Sequence, residues 1–119
     1  MKDVSLLSNN GIDVEKSLEL LGDMEMYDEL LGDFLTESDE RLAQMKEYKE
    51  ASDMANYAIL VHALKSDSKY LGFTKLAELS YQHEMESKAD NIDFVNDNYE
   101  NLMIEVNIII GLIKQYLGK

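Results

Sequence analysis

From Ile12 onward, apolar residues return every three or four positions, the spacing that gathers them on one face of an α-helix. A short first helix is predicted from Asp13, an N-cap, with Val14, Leu18 and Leu21 turned inward. Gly22-Asp23 breaks the chain and restarts it. The second helix carries Tyr27, Leu31, Phe34, Ser38, Leu42 and Met45 and runs to about Lys49. Ser52 or Asp53 caps the third, whose seam is Met54, Tyr57, Val61, Leu64, Ser68 and Leu71, and Gly72 ends it. The fourth starts near Thr74 with Leu76, Leu79 and His83 inward, and Asp90-Asn91 is the next break. The last reads Ile92, Val95, Tyr99, Leu102, Val106, Ile109, Ile113 and Tyr116.

Steps of three and four give the 3.5-residue period of knobs-into-holes packing. Four such helices on short connections pack as antiparallel neighbours. The expected fold is all-α, an up-down-up-down antiparallel four-helix bundle with a short additional N-terminal helix laid across one end. No segment alternates as a strand would. Residues 1–10, ending in Ser8-Asn9-Asn10-Gly11, read as a tail or linker, and 11–119 as the bundle domain. A helical hairpin that dimerises is the other arrangement, less suited to a chain that already supplies four long amphipathic helices.

Composition narrows the function. The 119 residues make one domain, and 45% apolar with 29% charged residues is globular composition. A net charge of −13 argues against nucleic acid or an anionic membrane as partner. With no Cys there is neither disulfide nor thiolate chemistry, and the absence of Pro suits uninterrupted helices. The longest apolar run, Ile108-Ile109-Ile110, ends at Gly111, and Met1-Lys2-Asp3-Val4 lacks a signal peptide's apolar stretch. A soluble cytoplasmic monomer is expected.

The two histidines, His62 and His83, are where chemistry is sought, because an imidazole can be a neutral nucleophile near cytoplasmic pH. His62 lies about 100° round the helix from the seam residue Val61, beside the core with a ring edge in water. Its helical neighbours are Ala58, Lys65, Ser66 and Lys69: two small, two cationic. Residues 57–76 hold one acid, Asp67, and three lysines, Lys65, Lys69 and Lys75. That stretch is +2, and the rest of the chain carries −15. A cationic patch around an imidazole suits a transient phosphoryl group, which brings about two negative charges. The same residues also read as a half-exposed surface histidine with incidental lysines.

His62-Ala63-Leu64-Lys65-Ser66-Asp67-Ser68-Lys69-Tyr70-Leu71-Gly72 resembles the signature of histidine-containing phosphotransfer (HPt) domains of bacterial phosphorelays. Gly11-Ile12-Asp13 through Asp23, then Tyr27-Asp28-Glu29-Leu30-Leu31 and Phe34, is similar to that family's first two helices, and Leu76-Ala77-Glu78-Leu79 with Glu84 to its fourth. The likeness runs from about Gly11 to Leu117. The family's usual Gly four residues after the histidine is Ser66 here, which keeps the site small.

The resemblance implies a phosphoryl carrier without its own nucleotide site. His62 would accept phosphoryl from a receiver-domain aspartate through the ring nitrogen distal to the main chain, then pass it to a second receiver. Lys65, one turn away, would stabilise phosphoryl charge and Lys69 add longer-range attraction. Ala58, Ile59, Ser66 and Lys69 would belong to an exposed receiver-docking flank. The implied partners are receiver domains and a sensor or hybrid histidine kinase. No cofactor is expected on this chain, and magnesium would sit in the receiver. Two other readings share the signature: a scaffold that binds receivers without transfer, and the phosphoacceptor module of a chemotaxis-type kinase. His83, on the inward seam, reads as a packing histidine. His83-Glu84-Met85-Glu86 is no zinc motif, since position 87 is Ser, and Ile59 and Ser80 stand where a di-iron bundle needs Glu.

Overall fold

A computed structural model describes residues 2–119. Its helices are α1 (Ser5–Ser8), α2 (Val14–Leu21), α3 (Met24–Glu50), α4 (Met54–Leu71), α5 (Thr74–Lys88) and α6 (Ile92–Leu117). Each long helix packs on the next, and α6 closes against α3, so α3 to α6 form a four-helix bundle. Only Ala51–Asp53, Gly72–Phe73 and Ala89–Asn91 join these helices, and connections that short reverse the chain.

The helix starts are written locally. Asp13, Asp23, Asp53 and Asn91 each accept a hydrogen bond from the backbone N–H three residues on. Such caps contribute about 0.5–2 kcal/mol apiece. The predicted seams are the core: Tyr27, Leu31, Phe34, Ser38 and Met45 on α3 are buried, as is every seam residue named for α4. On α6, Val95, Leu102, Val106, Ile109, Ile113 and Tyr116 are buried, while Ile92 and Tyr99 are half-covered. Leu42 and Leu79 are likewise only half-covered.

The start of the chain departs from the expected tail. Ser5–Ser8 form a helical turn whose Leu7 is wholly buried in the core, and α1 packs on α6. Val4, Leu6 and Leu7 span barely one turn, too short a run to establish a period, so the burial of Leu7 becomes visible only in three dimensions.

The turn between α4 and α5 carries the most constraint. Gly72 sits at φ +81°, and a Cβ there would lie 2.4 Å from the Asp13 carbonyl oxygen. The Asp13 N–H donates to the Gly72 carbonyl at 2.8 Å, and Ile12 bridges Phe73. Phe73 is buried with its ring edge-on to Phe34, and the Tyr27 hydroxyl donates to the Leu71 carbonyl at 2.8 Å. The segment before α2 and the start of α3 therefore clamp this turn. That clamp sets the register between α4 and α5, and the candidate site is built on those two helices.

Candidate functional site

His62 is midway along α4 on its outer flank, with its side chain 56% exposed. The residue that meets it comes from α5: Glu84 Oε2 lies 2.6 Å from His62 Nδ1. A carboxylate only accepts, so in the neutral ring Nδ1 carries the proton and donates, leaving the Nε2 lone pair free. The turn makes this meeting possible. His62 and Glu84 stand equally far in sequence from Phe73, so an α4–α5 hairpin folded at that point brings them level.

Glu84 is 2% exposed, yet three donors surround it. Lys65 Nζ donates to Oε1 at 2.5 Å, Lys88 Nζ to Oε2 at 2.8 Å, and His62 Nδ1 to the same Oε2. Burial pushes its carboxyl up, but the hydrogen bonds from Lys65, Lys88 and His62 outweigh it and hold Glu84 at about 2. The carboxylate is thus a fixed anion behind the ring.

The two lysines differ. The Lys65 side chain is 15% exposed, and its ammonium lies 5.6 Å from the centroid of the Tyr81 ring. The Lys88 side chain is 59% exposed, on the last residue of α5. Exposed pairs contribute about 0–1 kcal/mol, whereas removing one partner of a buried pair costs about 3–5 kcal/mol. Lys65 is the structural counter-ion of Glu84, and Lys88 is held only weakly.

The expected site is therefore rearranged. Lys65 was expected to point its charge at an incoming phosphoryl group; it folds back onto Glu84 instead, because a buried carboxylate is the strongest attractor in reach. Ala58, expected on the exposed flank, is buried beneath it. Ile59 is 64% exposed, as a docking residue would be, and Ser66 is half-covered. Lys69 is exposed but lines a different cavity, with Asp13, Lys16 and Gly72, about 10 Å along α4 from His62. The groove beside His62 runs the other way. It has a volume of about 590 Å³, with Met54, Ala55, Ala58 and Ile59 on the α4 side and Ser87, Lys88 and Asp90 opposite.

The family resemblance includes Glu84 without giving it a role, and no motif marks Lys88. A signal did exist: Ala77, Ser80 and Ser87 are small inward residues around Glu84 on α5, leaving room for a buried acid that then needs cations. The other histidine is internal. His83 Nδ1 accepts from the Tyr57 hydroxyl at 2.9 Å, and Nε2–H donates to the Asn98 carbonyl at 3.1 Å, with the Phe94 ring edge-on. Burial pushes its pKa down, and the Asn98 bond only partly opposes this. Both ring nitrogens are committed, so His83 is a packing group.

A helical bundle presenting one outward imidazole nitrogen, backed by a buried carboxylate, is the framework of a histidine phosphocarrier. The family model described as Hpt domain matches residues 29–114, and the chain belongs to that family. The match covers α3 from Glu29 onward, all of α4 and α5 and most of α6, and it leaves the Gly11–Asp23 block outside. Comparison with curated proteins found no match, and neither did comparison with solved structures. Membership brings a phosphotransfer role in two-component signalling. Among the described residues, no helix is long and apolar enough to cross a membrane.

Proposed function

We propose that His62 accepts a phosphoryl group on Nε2 from the aspartyl phosphate of a receiver domain and passes it to an aspartate of another receiver. The observation that carries this reading is the Glu84 contact, which occupies Nδ1 and leaves Nε2 outward. The Nε2 lone pair attacks phosphorus, the N–P bond forms, and the P–O bond to the donor aspartate breaks with its electron pair leaving on the carboxylate. The Nδ1 proton stays. The ring becomes cationic, and Glu84 stands behind it to compensate that charge. In such a transfer the protein's part is positioning and electrostatics, which this pairing supplies in advance.

Phosphoryl enters from a receiver rather than from ATP, so the chain acts as a carrier. A receiver's own carboxylates would hold the magnesium ion that neutralises the phosphoryl oxygens. The receiver docks over His62 on Ile59 and the groove floored by Ala58, with Ser66 and Lys69 on the far side of the imidazole. A relay partner must leave between steps, so an interface below about 1,200 Å² is expected. The chain works as a monomer in the cytoplasm, beside the sensor or hybrid kinase that charges the first receiver.

The test is incubation with a phosphorylated receiver. Acid-labile, base-stable label should appear on the wild type and be lost in His62→Gln. Equal labelling of His62→Gln would remove the histidine from the mechanism. Receiver binding without any label would leave a scaffold instead.

A further inference from the structure

We infer that Lys88 is the cation that follows the phosphoryl group: as His62 is phosphorylated, the Lys88 ammonium leaves Glu84 Oε2 for the phosphoryl oxygens, and the His62 ring, already bound to that oxygen and now cationic, remains as its counter-ion. The inference rests on His62 being the phosphoacceptor. It reassigns the charge-stabilising role expected of Lys65.

The starting arrangement sets up the exchange. His62 Nδ1 and Lys88 Nζ bind the same oxygen, at 2.6 and 2.8 Å, while Lys65 alone holds the other oxygen. Phosphoryl transfer forms the Nε2–P bond, breaks the P–O bond of the donor and releases no proton from the ring. The imidazole thereby gains a positive charge whose Nδ1–H already points at Oε2. Two cations then compete for one carboxylate oxygen just as two negative charges arrive on the other side of the ring. Moving one cation to the new anion satisfies both.

Mobility selects Lys88. Its side chain is largely in water, on the terminal residue of α5, and it lines the groove that contains His62. Lys65 is mostly covered and faces the Tyr81 ring, so its departure would strip Glu84 of its buried counter-ion. Lys69 is excluded by position, since it opens onto the cavity beside α2.

The experiment loads the full chain with phosphoramidate, which transfers its phosphoryl to an imidazole and releases ammonia, so no receiver is needed. Phosphohistidine lifetime and the ³¹P titration of the phosphoryl oxygens are compared in wild type, Lys88→Met, Lys88→Arg and Lys65→Met. Lys88→Met should shorten the lifetime about fivefold or more and raise the pH at which the phosphoryl oxygens titrate. Lys88→Arg should restore both. Lys65→Met, if it folds, should raise that pH less than Lys88→Met does; the two Lys88 variants decide the matter if it does not fold. Wild-type behaviour in Lys88→Met overturns the inference while leaving His62 as acceptor. A wild type that takes up no phosphoryl at His62 overturns both.

Discussion

Glu84 Oε2 lies 2.6 Å from His62 Nδ1, and this one contact decides which nitrogen of the imidazole faces outward. A buried carboxylate that binds the inner nitrogen fixes both the tautomer and the orientation of the ring.

Glu84→Gln separates that role from simple packing. The amide can still accept from Nδ1 through its oxygen, but the charge is gone. Around metal-ligating histidines, partners that fix the imidazole in this way are worth about 10–100-fold, and the same order is expected here. Transfer from a phosphorylated receiver should slow by that order, and ¹⁵N spectra of the imidazole should show an increased share of the Nε2–H tautomer. Wild-type transfer by Glu84→Gln would mean that the carboxylate charge does not contribute.

The two lysines on Glu84 should differ in stability. Lys88→Met removes an exposed partner and should cost less than about 1 kcal/mol. Lys65→Met leaves a 2% exposed carboxylate without its covered partner and should cost several times as much, towards about 3 kcal/mol. Urea unfolding of both variants at neutral pH measures the difference, and equal losses would contradict the assigned roles.

Acid should weaken the fold in two steps. His83 is held neutral with its pKa below the ordinary 6.5, so below that pH the unfolded chain takes up a proton that the folded chain refuses. Stability therefore falls as pH drops through 6.5 towards the depressed folded value. Glu84 contributes fully above its ordinary 4.5, and its contribution is lost as pH falls from there to about 2. In a His62→Gln background, His83→Gln should flatten the urea midpoint between about pH 7 and pH 5. An unchanged slope would show that His83 is not the titrating group.

Gly72→Ala tests the clamp on the α4–α5 turn. The left-handed backbone alone costs a non-glycine residue about 1–2 kcal/mol, and the new methyl would press on the Asp13 carbonyl. A loss of at least that size in chemical unfolding is expected. Transfer should also slow, because the turn sets the level at which His62 meets Glu84. A variant as stable as wild type would mean that the segment before α2 does not brace the turn.

Much of this was legible in the chain. The seams from Tyr27 to Met45 and from Met54 to Leu71, the caps at Asp13 and Asp53, and the stop at Gly72 all follow from interactions within one helix or one turn. His62 could be set beside its seam by counting residues. Lys65 can be counted just as easily, but being one turn from His62 says nothing about a carboxylate on another helix, and Lys65 Nζ donates to Glu84. Ala58 is buried in the floor of the groove lined by α4 and α5, and α5 does not figure in the arithmetic of α4.

Spacing along the chain is enough for helices α2 to α6, their inward faces, the all-α class and the histidine on the outer flank of α4. Each of these depends on spacing along a single backbone with a fixed 3.6-residue turn. The tertiary structure decided which residues face one another across helices: Glu84 behind His62, Lys65 committed to Glu84, Lys88 within reach, and Leu7 in the core. These pairings depend on how α4 and α5 are registered by the clamped Gly72–Phe73 turn. That register is set by contacts from α3 and the segment before α2, far away in sequence.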